Sequence, residues 1–420
     1  MRERAGAATE NNSNEEGNTM HSKVLASAVA IALLPATSFA AKKWSDDTLV
    51  ALYGKVYPEI VLPHGSGATA ADASVATFAG KPTGNDSIVE RTEMESNNSR
   101  LGVRGQERLG RDLKAIFQLE TVFHVDNNDS GFAQRNSFVG LSARRWGTIK
   151  LGRMDTPFKK YGDDLSFLGI GSGNFVSSSN VLRKTGFGTS SASSFHLRRQ
   201  NAVQYESPVL GGLDFAVQYS TNEADTATRK PRAWSGAVEY SRGPLLASIA
   251  FEQHWDLFGL SRNVPSAMSN FNDPAVRSKD KAVQAMVQYK VGHHTLEADW
   301  IRKQYDENAV LAGRARAYRN NAYEVAWSAR WNGRWRTDLE YIKAFKGSCE
   351  RVAAACDTDG LDGSQLQFGV AYYFSKQTYL FAMAAWLQNG HSSRFNNEEL
   401  QDPSVGEDIT QYAAGLSHSF

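Results

Sequence analysis

The chain has 420 residues, with 46 Lys and Arg residues against 45 Asp and Glu residues. This near balance argues against a strongly basic nucleic-acid-binding protein. The length allows two or three ordinary domains or one large all-β unit. Aromatic residues are frequent, with 15 Tyr and 21 Phe, whereas only two Cys are present.

The first predicted element is a secretory signal peptide at residues 20–40, MHSKVLASAVAIALLPATSFA. It has a basic start at Lys23, an apolar run over 24–34 and small residues before a cleavage site preceding Ala41. The run is too short for a membrane-spanning helix, which needs ~20 residues. Residues 1–19 are polar, and we expect them to be a non-native upstream extension with Met20 as the true start. The mature domain is therefore predicted to be 41–420.

A two-residue alternation recurs along the mature chain, which contains no further long apolar run. In LDFAVQY (213–219) the odd positions are large and apolar, and the even positions are small or polar. Without spanning helices, a chain can cross a bilayer only as a closed barrel, because every backbone polar group needs a partner. Strands of a soluble sandwich also alternate, but the export signal and the connection lengths favour the barrel.

Sixteen alternating segments are predicted as strands: 48–60, 98–106, 113–123, 135–143, 148–155, 200–207, 213–220, 233–241, 245–254, 282–290, 294–304, 322–330, 335–345, 364–374, 378–387 and 409–420. Connections after even-numbered strands are short, and most of those after odd-numbered strands are long, with 156–199 the longest. Short turns at one end and long loops at the other are typical of bacterial outer-membrane barrels. An even strand count lets the last strand, DITQYAAGLSHSF, pair with the first and remove the sheet edges.

Several segments resemble, in order and spacing, those of the Gram-negative general diffusion porins, the sixteen-stranded trimeric family. These segments are TLVALYGKV, SRLGVRGQE, RNSFVGLSARRWGTIKLGRMDTPF, NAVQYESPVLGGLDFAVQY and the C-terminal Phe. The resemblance covers nearly all of residues 44–420. It implies an all-β, 16-stranded antiparallel transmembrane β-barrel in the outer membrane, with its third external loop folded into the lumen. It also implies a homotrimer, contact with outer-membrane lipid, and recognition of the terminal Phe420 by the barrel-assembly machinery.

The same resemblance implies the position of the pore constriction. The third external loop carries Asp163 and Asp164, which are expected as its acidic side, and its glycines at 162, 169, 171 and 173 could supply unusual backbone torsions. A basic ladder is expected on the opposite wall, formed by Lys55, Arg100, Arg104, Lys114, Arg135, and Arg198 or Arg199. Alternation turns the first four of these inward and predicts Glu120 as a lumen acid. The alternative for each residue is an ordinary solvated charge.

The fourth and fifth strands do not alternate cleanly, so the facing of Arg135 and Arg153 stays open. Family likeness offers one reason, because the early strands would form the subunit interface and have protein against both faces.

These features together predict a passive channel for small hydrophilic solutes and ions, with no enzymatic activity, cofactor or nucleic-acid partner. A channel selective for a sugar or an anion is an alternative. An outer-membrane barrel enzyme is less favoured, because the sequence contains no Gly-x-Ser-x-Gly nucleophile elbow.

Two further groups of residues offer alternatives. His293 and His294 lie near Glu297 and Asp299, but adjacent His residues in a polar turn are usually solvated, so no metal site is predicted. Cys349 and Cys356 fall in the seventh external loop, in a compartment that permits disulfides. We expect a bridge between them, the alternative being a zinc pair without further ligands nearby.

Overall fold

The computed structural model describes residues 42–45, 48–127, 131–162, 165–171, 173–221 and 226–420. The predicted signal peptide and the upstream extension lie outside the described residues. Twenty strands occur in the described part of the chain: β1 (Lys42–Ser45), β2 (Thr48–Val56), β3 (Glu59–Ser66), β4 (Glu93–Glu95), β5 (Arg100–Arg108), β6 (Leu113–Val122), β7 (Ser137–Ala143), β8 (Gly147–Asp155), β9 (Arg198–Glu206), β10 (Leu213–Thr221), β11 (Arg232–Arg242), β12 (Leu245–Trp255), β13 (Ser278–Val291), β14 (His294–Glu307), β15 (Ala315–Trp331), β16 (Trp335–Ala344), β17 (Ser348–Arg351), β18 (Gly363–Tyr373), β19 (Thr378–Asn389) and β20 (Asp408–Ser419).

These strands form one antiparallel sheet that closes on itself. β2 and β3 make up a single barrel strand interrupted at Tyr57 and Pro58, and Pro58 has no N–H to donate. β2 pairs with β5, and β3 pairs with the last strand, β20. The short strands β1, β4 and β17 lie outside the ring, so the described residues form a closed barrel of sixteen strands. The predicted fold is confirmed.

The seam between the first and last strands ends at the C-terminus. Gly54 and Phe420 exchange two backbone hydrogen bonds, each 3.0 Å between N and O. The His418 ring stacks near the Phe420 ring, and its Nδ1 lies 2.9 Å from the hydroxyl of Thr378 on β19. The closing strand predicted from alternation is therefore paired on both sides.

Several strands are longer than alternation alone predicted. β13 begins at Ser278 rather than 282, and β15 begins at Ala315 rather than 322. Their extra residues lie at the ends nearest the long loops and carry basic residues where the apolar outward row would continue, as with Lys279 and Lys281 on β13 and the exposed Arg316 on β15. Beyond the bilayer the outer face of a strand no longer meets lipid, so the apolar outward row that reveals membrane strands is lost.

The two faces of the barrel have opposite chemistry. On β10, outward Leu213 and Phe215 are 49% and 43% exposed, whereas inward Asp214 and Gln218 are buried. This is the reverse of a soluble protein, and it fits a wall between lipid and a polar interior.

Connections at one end of the barrel are tight turns. Gly243, Gly292 and Gly333 occupy such turns with φ of 61°, 59° and 67°, which only glycine adopts at low cost. The long connections gather at the other end, and the longest joins β8 to β9 through residues 156–197, called loop L3 below. L3 contains the helices of the described residues: α1 (Pro157–Lys160), α2 (Ser179–Leu182) and short 3-10 helices at Phe167–Gly169 and Ser191–Ser193. None of them is long and apolar enough to cross a membrane.

Candidate functional site

L3 lies inside the barrel. Near its start, the backbone N–H of Phe158 donates to Ser235 Oγ at 3.0 Å, and the Tyr161 hydroxyl donates to Asp214 Oδ1 at 2.8 Å. Both partners point inward, from β11 and β10 respectively. The first turn of the loop is therefore fixed against the inner wall.

The middle of L3 is bound by a lysine from the wall. Lys303 of β14 is buried, and its Nζ donates to the carbonyl oxygens of Leu182 at 2.7 Å and Lys184 at 2.6 Å. Beside them, Arg183 donates to Gln284 Oε1 at 3.1 Å and lies 3.1 Å from His196 Nδ1. Burial, together with the neighbouring cations, holds the pKa of His196 well below its ordinary value.

The segment around the first 3-10 helix crosses to the far strands. Arg336 of β16 donates to the carbonyl oxygens of Leu165 at 3.2 Å and Ser166 at 2.9 Å. Asp338 accepts from the N–H of Leu168 at 2.6 Å and also pairs with Arg336 at 2.7 Å.

The next part of L3 is bound by amide side chains of β18. Gln365 donates to the carbonyl of Phe175 at 3.0 Å, and Gln367 donates to that of Val176 at 2.7 Å. L3 thus follows the inner wall from β10 to β18. The inward fold expected for the third external loop is what the structure shows.

Backbone torsions in L3 agree in part with the glycine prediction. Gly169 and Gly173 have φ of 82° and 76°, but Gly162 and Gly171 do not have positive φ. Two residues with side chains, Ser166 and Leu168, also take left-handed values of 48° and 45°. The same two residues are hydrogen-bonded to the wall, Ser166 through its carbonyl to Arg336 and Leu168 through its N–H to Asp338.

Asp163 and Asp164 lie outside the described residues, so their place at the constriction remains a prediction. The residues on either side are described. The carbonyl of Gly162 accepts from Gln284 of β13, and that of Leu165 accepts from Arg336 of β16.

The predicted basic residues lie mainly on the wall that L3 leaves uncovered. In the β2–β5 register Lys55 lies opposite Arg100 and Ala51 lies opposite Arg104, so these side chains share the inward face. Lys55 reaches across to the carbonyl of Gly169 in L3, 3.4 Å from its Nζ. These inward basic residues, called the basic row below, therefore contact L3 at Gly169.

Arg135 extends this row. Arg135 precedes β7, and its Nε lies 2.5 Å from Glu120 Oε1. Glu120 is buried, faces the lumen and also accepts from the Tyr53 hydroxyl at 2.9 Å. Arg104 lies over the Tyr53 ring, 4.8 Å from its centroid. The predicted lumen acid Glu120 is therefore part of the basic wall.

Arg198 and Arg199 open β9 and have different partners. Arg198 Nη2 lies 3.0 Å from Asp155 Oδ1, and Asp155 also pairs with Lys159 at 3.0 Å. Arg199 donates to Ser220 Oγ of β10 at 3.3 Å. Both arginines are close to the point where L3 leaves β8.

Lys114 is not part of this row. It is exposed near the short-turn end of β6 and donates to Gln106 Oε1 at 3.3 Å. Six residues separate it from Glu120 on the same strand, a distance of about 20 Å. Alternation predicted which side of the sheet Lys114 faces. Its position along the barrel axis, however, is far from the expected constriction.

The irregular facing of the fourth and fifth predicted strands has a local cause. The register between β8 and β9 shifts between Gly152 and Met154, and Gly152 has φ of 145°. Arg153 falls at this bulge and donates to the carbonyl of Gln134 at 2.8 Å. A bulge places two residues opposite one and so breaks strict alternation.

A group of acids on the L3-covered wall was missed in the sequence. Glu297 and Asp299 of β14 and Glu324 of β15 are buried, with one carboxylate oxygen from each lying within 4.8 Å of the others. Asp299 and Glu324 are direct cross-strand partners. Alternation could have revealed them, since each lies between outward apolar residues. They form an acidic group on the wall that L3 covers.

The possible His and acid metal site is not assembled. His294 lies on the outer face, where its Nδ1 accepts from Trp327 Nε1 at 3.2 Å and its ring centroid is 4.2 Å from that of His293. Glu297 and Asp299 point into the lumen from the same strand. The two groups are on opposite sides of the barrel wall.

Cys349 and Cys356 are joined by a disulfide in the structure, with Cα atoms 5.8 Å apart. Cys349 belongs to β17, in the connection between β16 and β18.

Comparison with known proteins agrees with this architecture. A family model described as Gram-negative porin matches residues 26–392. The major outer membrane protein P.IB of Neisseria gonorrhoeae is 28% identical over 302 residues, covering 71% of this chain and 80% of that protein. Its counterpart in Neisseria meningitidis serogroup B is 26% identical over 307 residues, covering 72% and 81%.

Solved structures give the same fold. The anion-selective porin from Comamonas acidovorans has a TM-score of 0.66 at 23% identity, covering 89% of this chain and all of that chain. OmpT of Vibrio cholerae in its trimer form has a TM-score of 0.60 at 15% identity, covering 89% and 100%.

A closed barrel with a polar interior, an apolar exterior and one loop folded inside defines a water-filled membrane channel. The chain belongs to the Gram-negative porin family. It is an outer-membrane channel for the passive diffusion of small hydrophilic solutes.

Proposed function

We propose that this channel prefers anions and that its basic row sets the preference. The row consists of Lys55, Arg100, Arg104, Arg135, Arg198 and Arg199. The observation that carries the proposal is the inward facing of Lys55, Arg100 and Arg104, with Arg135 and Arg198 joined to the acids Glu120 and Asp155 within the row. A narrow channel with low-dielectric walls focuses the field of such charges on passing ions.

The opposite side of the constriction would be acidic. Glu297, Asp299 and Glu324 supply negative charge on the covered wall, and we assign Asp163 and Asp164 of L3 to the same side. Acids facing bases create a field across the pore that orders water. Apolar solutes disrupt that order and are disfavoured, whereas small hydrophilic solutes pass.

Transport in this proposal is passive and involves no catalysis. The similarity in fold to a porin described as anion-selective supports the direction of the preference by analogy. The support specific to this chain is the excess of cations in the row.

We further propose that the channel is a homotrimer joined through its early strands. The outward residues of β7 and β8 include Val139, Leu141, Ile149 and Leu151, which are all aliphatic and between 44% and 57% exposed. Later strands carry outward aromatic residues such as Trp300, the usual anchors at a lipid interface. The trimer form of OmpT offers a parallel. Phe420 would serve as the signal for the barrel-assembly machinery, and the aromatic strands would face outer-membrane lipid.

The decisive experiment is the zero-current potential of refolded protein in a planar bilayer across a KCl gradient. We expect the sign that corresponds to chloride as the more permeant ion. A cation-selective potential would overturn the proposed preference. A flux that saturates with one sugar or anion would indicate a substrate-selective channel instead.

A further inference from the structure

A group of cations on the outer wall is not explained by permeation. We propose that Arg232, Lys279, Lys281 and Arg302, called the outer basic patch, bind the phosphate groups of lipopolysaccharide in the outer leaflet. The proposal depends on the outer-membrane location of the barrel and not on its ion preference.

The patch faces away from the lumen. On β13, Lys279 is exposed and Lys281 half-buried, while Asp280 and Ala282 between and beside them are buried on the inner face. On β14, exposed Arg302 lies between two buried residues, Ile301 and Lys303. Alternation therefore separates the patch from the lumen by the full thickness of the wall.

The patch lies at the edge of the apolar band. On three strands, a basic residue is the first polar outward side chain beyond the last apolar one. The pairs are Trp234 with Arg232 on β11, Val283 with Lys281 on β13, and Trp300 with Arg302 on β14. Trp234 and Trp300 are 38% and 43% exposed, as expected of aromatic residues at a lipid interface. The basic residues are therefore at the level of the lipid headgroups.

This edge is the external one. β13 begins after the long connection 256–277, at the end of the barrel opposite the tight turns. The outer leaflet there consists of lipopolysaccharide, whose lipid A phosphates lie between the acyl chains and the sugars. Charge complementarity thus commits the patch to this lipid.

The register brings the four cations together. Trp255 of β12 lies directly opposite Arg232 of β11 on one side and Lys279 of β13 on the other. The Arg232 guanidinium lies 4.8 Å from the centroid of the Trp255 ring. Lys281 pairs with Gln304, two residues along β14 from Arg302. Diagonal neighbours of this kind are about 7–8 Å apart, a spacing that one phosphorylated headgroup can bridge.

Acids do not neutralise the patch. Within the described chain, none of its four residues forms an ion pair with a carboxylate. Asp306, the direct partner of Lys279 in the register, is bound instead by Arg319 at 3.1 Å. Lys343 of β16 occupies the same boundary above Tyr341, but its Nζ pairs with Asp362 at 2.6 Å. Lys343 is therefore a matched control.

The test measures binding of labelled lipopolysaccharide to the refolded, detergent-solubilised channel by fluorescence anisotropy. Replacing Arg232, Lys281 and Arg302 together by Gln should weaken binding by about tenfold or more, since each cation near an anionic membrane surface contributes to affinity. Lys343→Gln should leave binding unchanged. Lipopolysaccharide freed of its phosphates should bind the wild type as weakly as the intact lipid binds the triple variant.

Two results would overturn the proposal: equal affinity of the triple variant and the wild type, or insensitivity of binding to removal of the lipid's phosphates. Unchanged single-channel conductance would show that the triple variant has folded. If it does not fold, Lys281→Gln and Arg302→Gln tested singly should each weaken binding by about fivefold.

Discussion

The Phe420 ring lies directly over Gly54, where a Cβ atom would be 2.4 Å from the ring carbon Cζ and 2.9 Å from the backbone oxygen of Arg100. The same two residues exchange the backbone hydrogen bonds that end the seam. The end of the chain is thus both a strand terminus and a packing element of the closed ring.

This contact predicts a stability effect at the seam. Gly54→Ala should destabilise the barrel by about 1–3 kcal/mol, because the ring and the Arg100 carbonyl must both move. The temperature at which the folded band disappears in heat-modifiability gels would report it. Gly110→Ala is the control, since its added Cβ meets nothing within 4 Å. Equal transition temperatures for both variants would contradict the proposed packing role.

Arg100 and Arg104 should control ion preference. Replacing both by Ala should raise conductance and shift the zero-current potential towards cations, because two inward charges are lost from the narrow part of the pore. Lys114→Ala provides a control with the same charge and face but a different height. If Lys114→Ala shifts the potential as much as the double variant, charge at the constriction is not the determinant.

Asp163 and Asp164 should act in the opposite sense. Changing both to Asn removes negative charge from L3, so the channel should become more selective for anions. The measurement is again the zero-current potential under a salt gradient. An unchanged potential would remove these two acids from the constriction.

Lys303 should hold L3 in place. Lys303→Met keeps the length of the side chain but leaves the carbonyls of Leu182 and Lys184 without their donor, at a cost of about 1–3 kcal/mol. We expect a noisier open-channel current in single-channel recordings. Lys346→Gln removes an exposed lysine whose ion pair with Asp359 contributes little, and its recordings should match the wild type. A quiet Lys303→Met channel would show that other anchors suffice.

His196 should make stability sensitive to acid. Burial, then the charges of Lys159, Arg183 and Lys184, lower its pKa in the folded protein. Below about pH 6.5 the unfolded chain binds a proton at this residue that the folded chain does not. Stability from this residue is therefore present above about pH 6.5 and falls as the pH decreases.

His196→Gln should flatten that decline, as measured by urea unfolding at several pH values. The exposed His64→Gln is the control and should keep the wild-type slope. The same acid dependence in His196→Gln and the wild type would exclude His196 as its source.

The sequence predicted the barrel well, for a physical reason. Lipid outside and water inside impose a two-residue period on every spanning strand, and tight turns mark one end. That logic fails where the period is broken, at the β8 bulge after Gly152, and where strands extend into polar surroundings, as β15 does from Ala315.

The functional site was less predictable from the sequence, because its geometry depends on the level of each residue along the barrel axis and on the path of L3 through the lumen. Alternation gives the face of a residue but not its level, so Lys114 could not be separated from Arg100 in the sequence. The anchors of L3 are ordinary inward polar residues, such as Gln365 and Lys303, and nothing in a single sequence shows which of them meets the loop. Glu297, Asp299 and Glu324 could have been found by the same alternation that revealed Arg104.

Side chains of the barrel wall hold L3 through hydrogen bonds to the backbone carbonyl oxygens of the loop. Lys303, Arg336, Gln365 and Gln367 all donate to carbonyl groups, which every amino acid supplies. These four hydrogen bonds therefore do not depend on the side chains of the loop residues that accept them, whereas buried residues such as Phe158, Phe187 and Phe195 pack as part of the core. Point changes in L3 can alter which molecules a bacterium admits while the scaffold stays the same, so permeability can evolve one residue at a time.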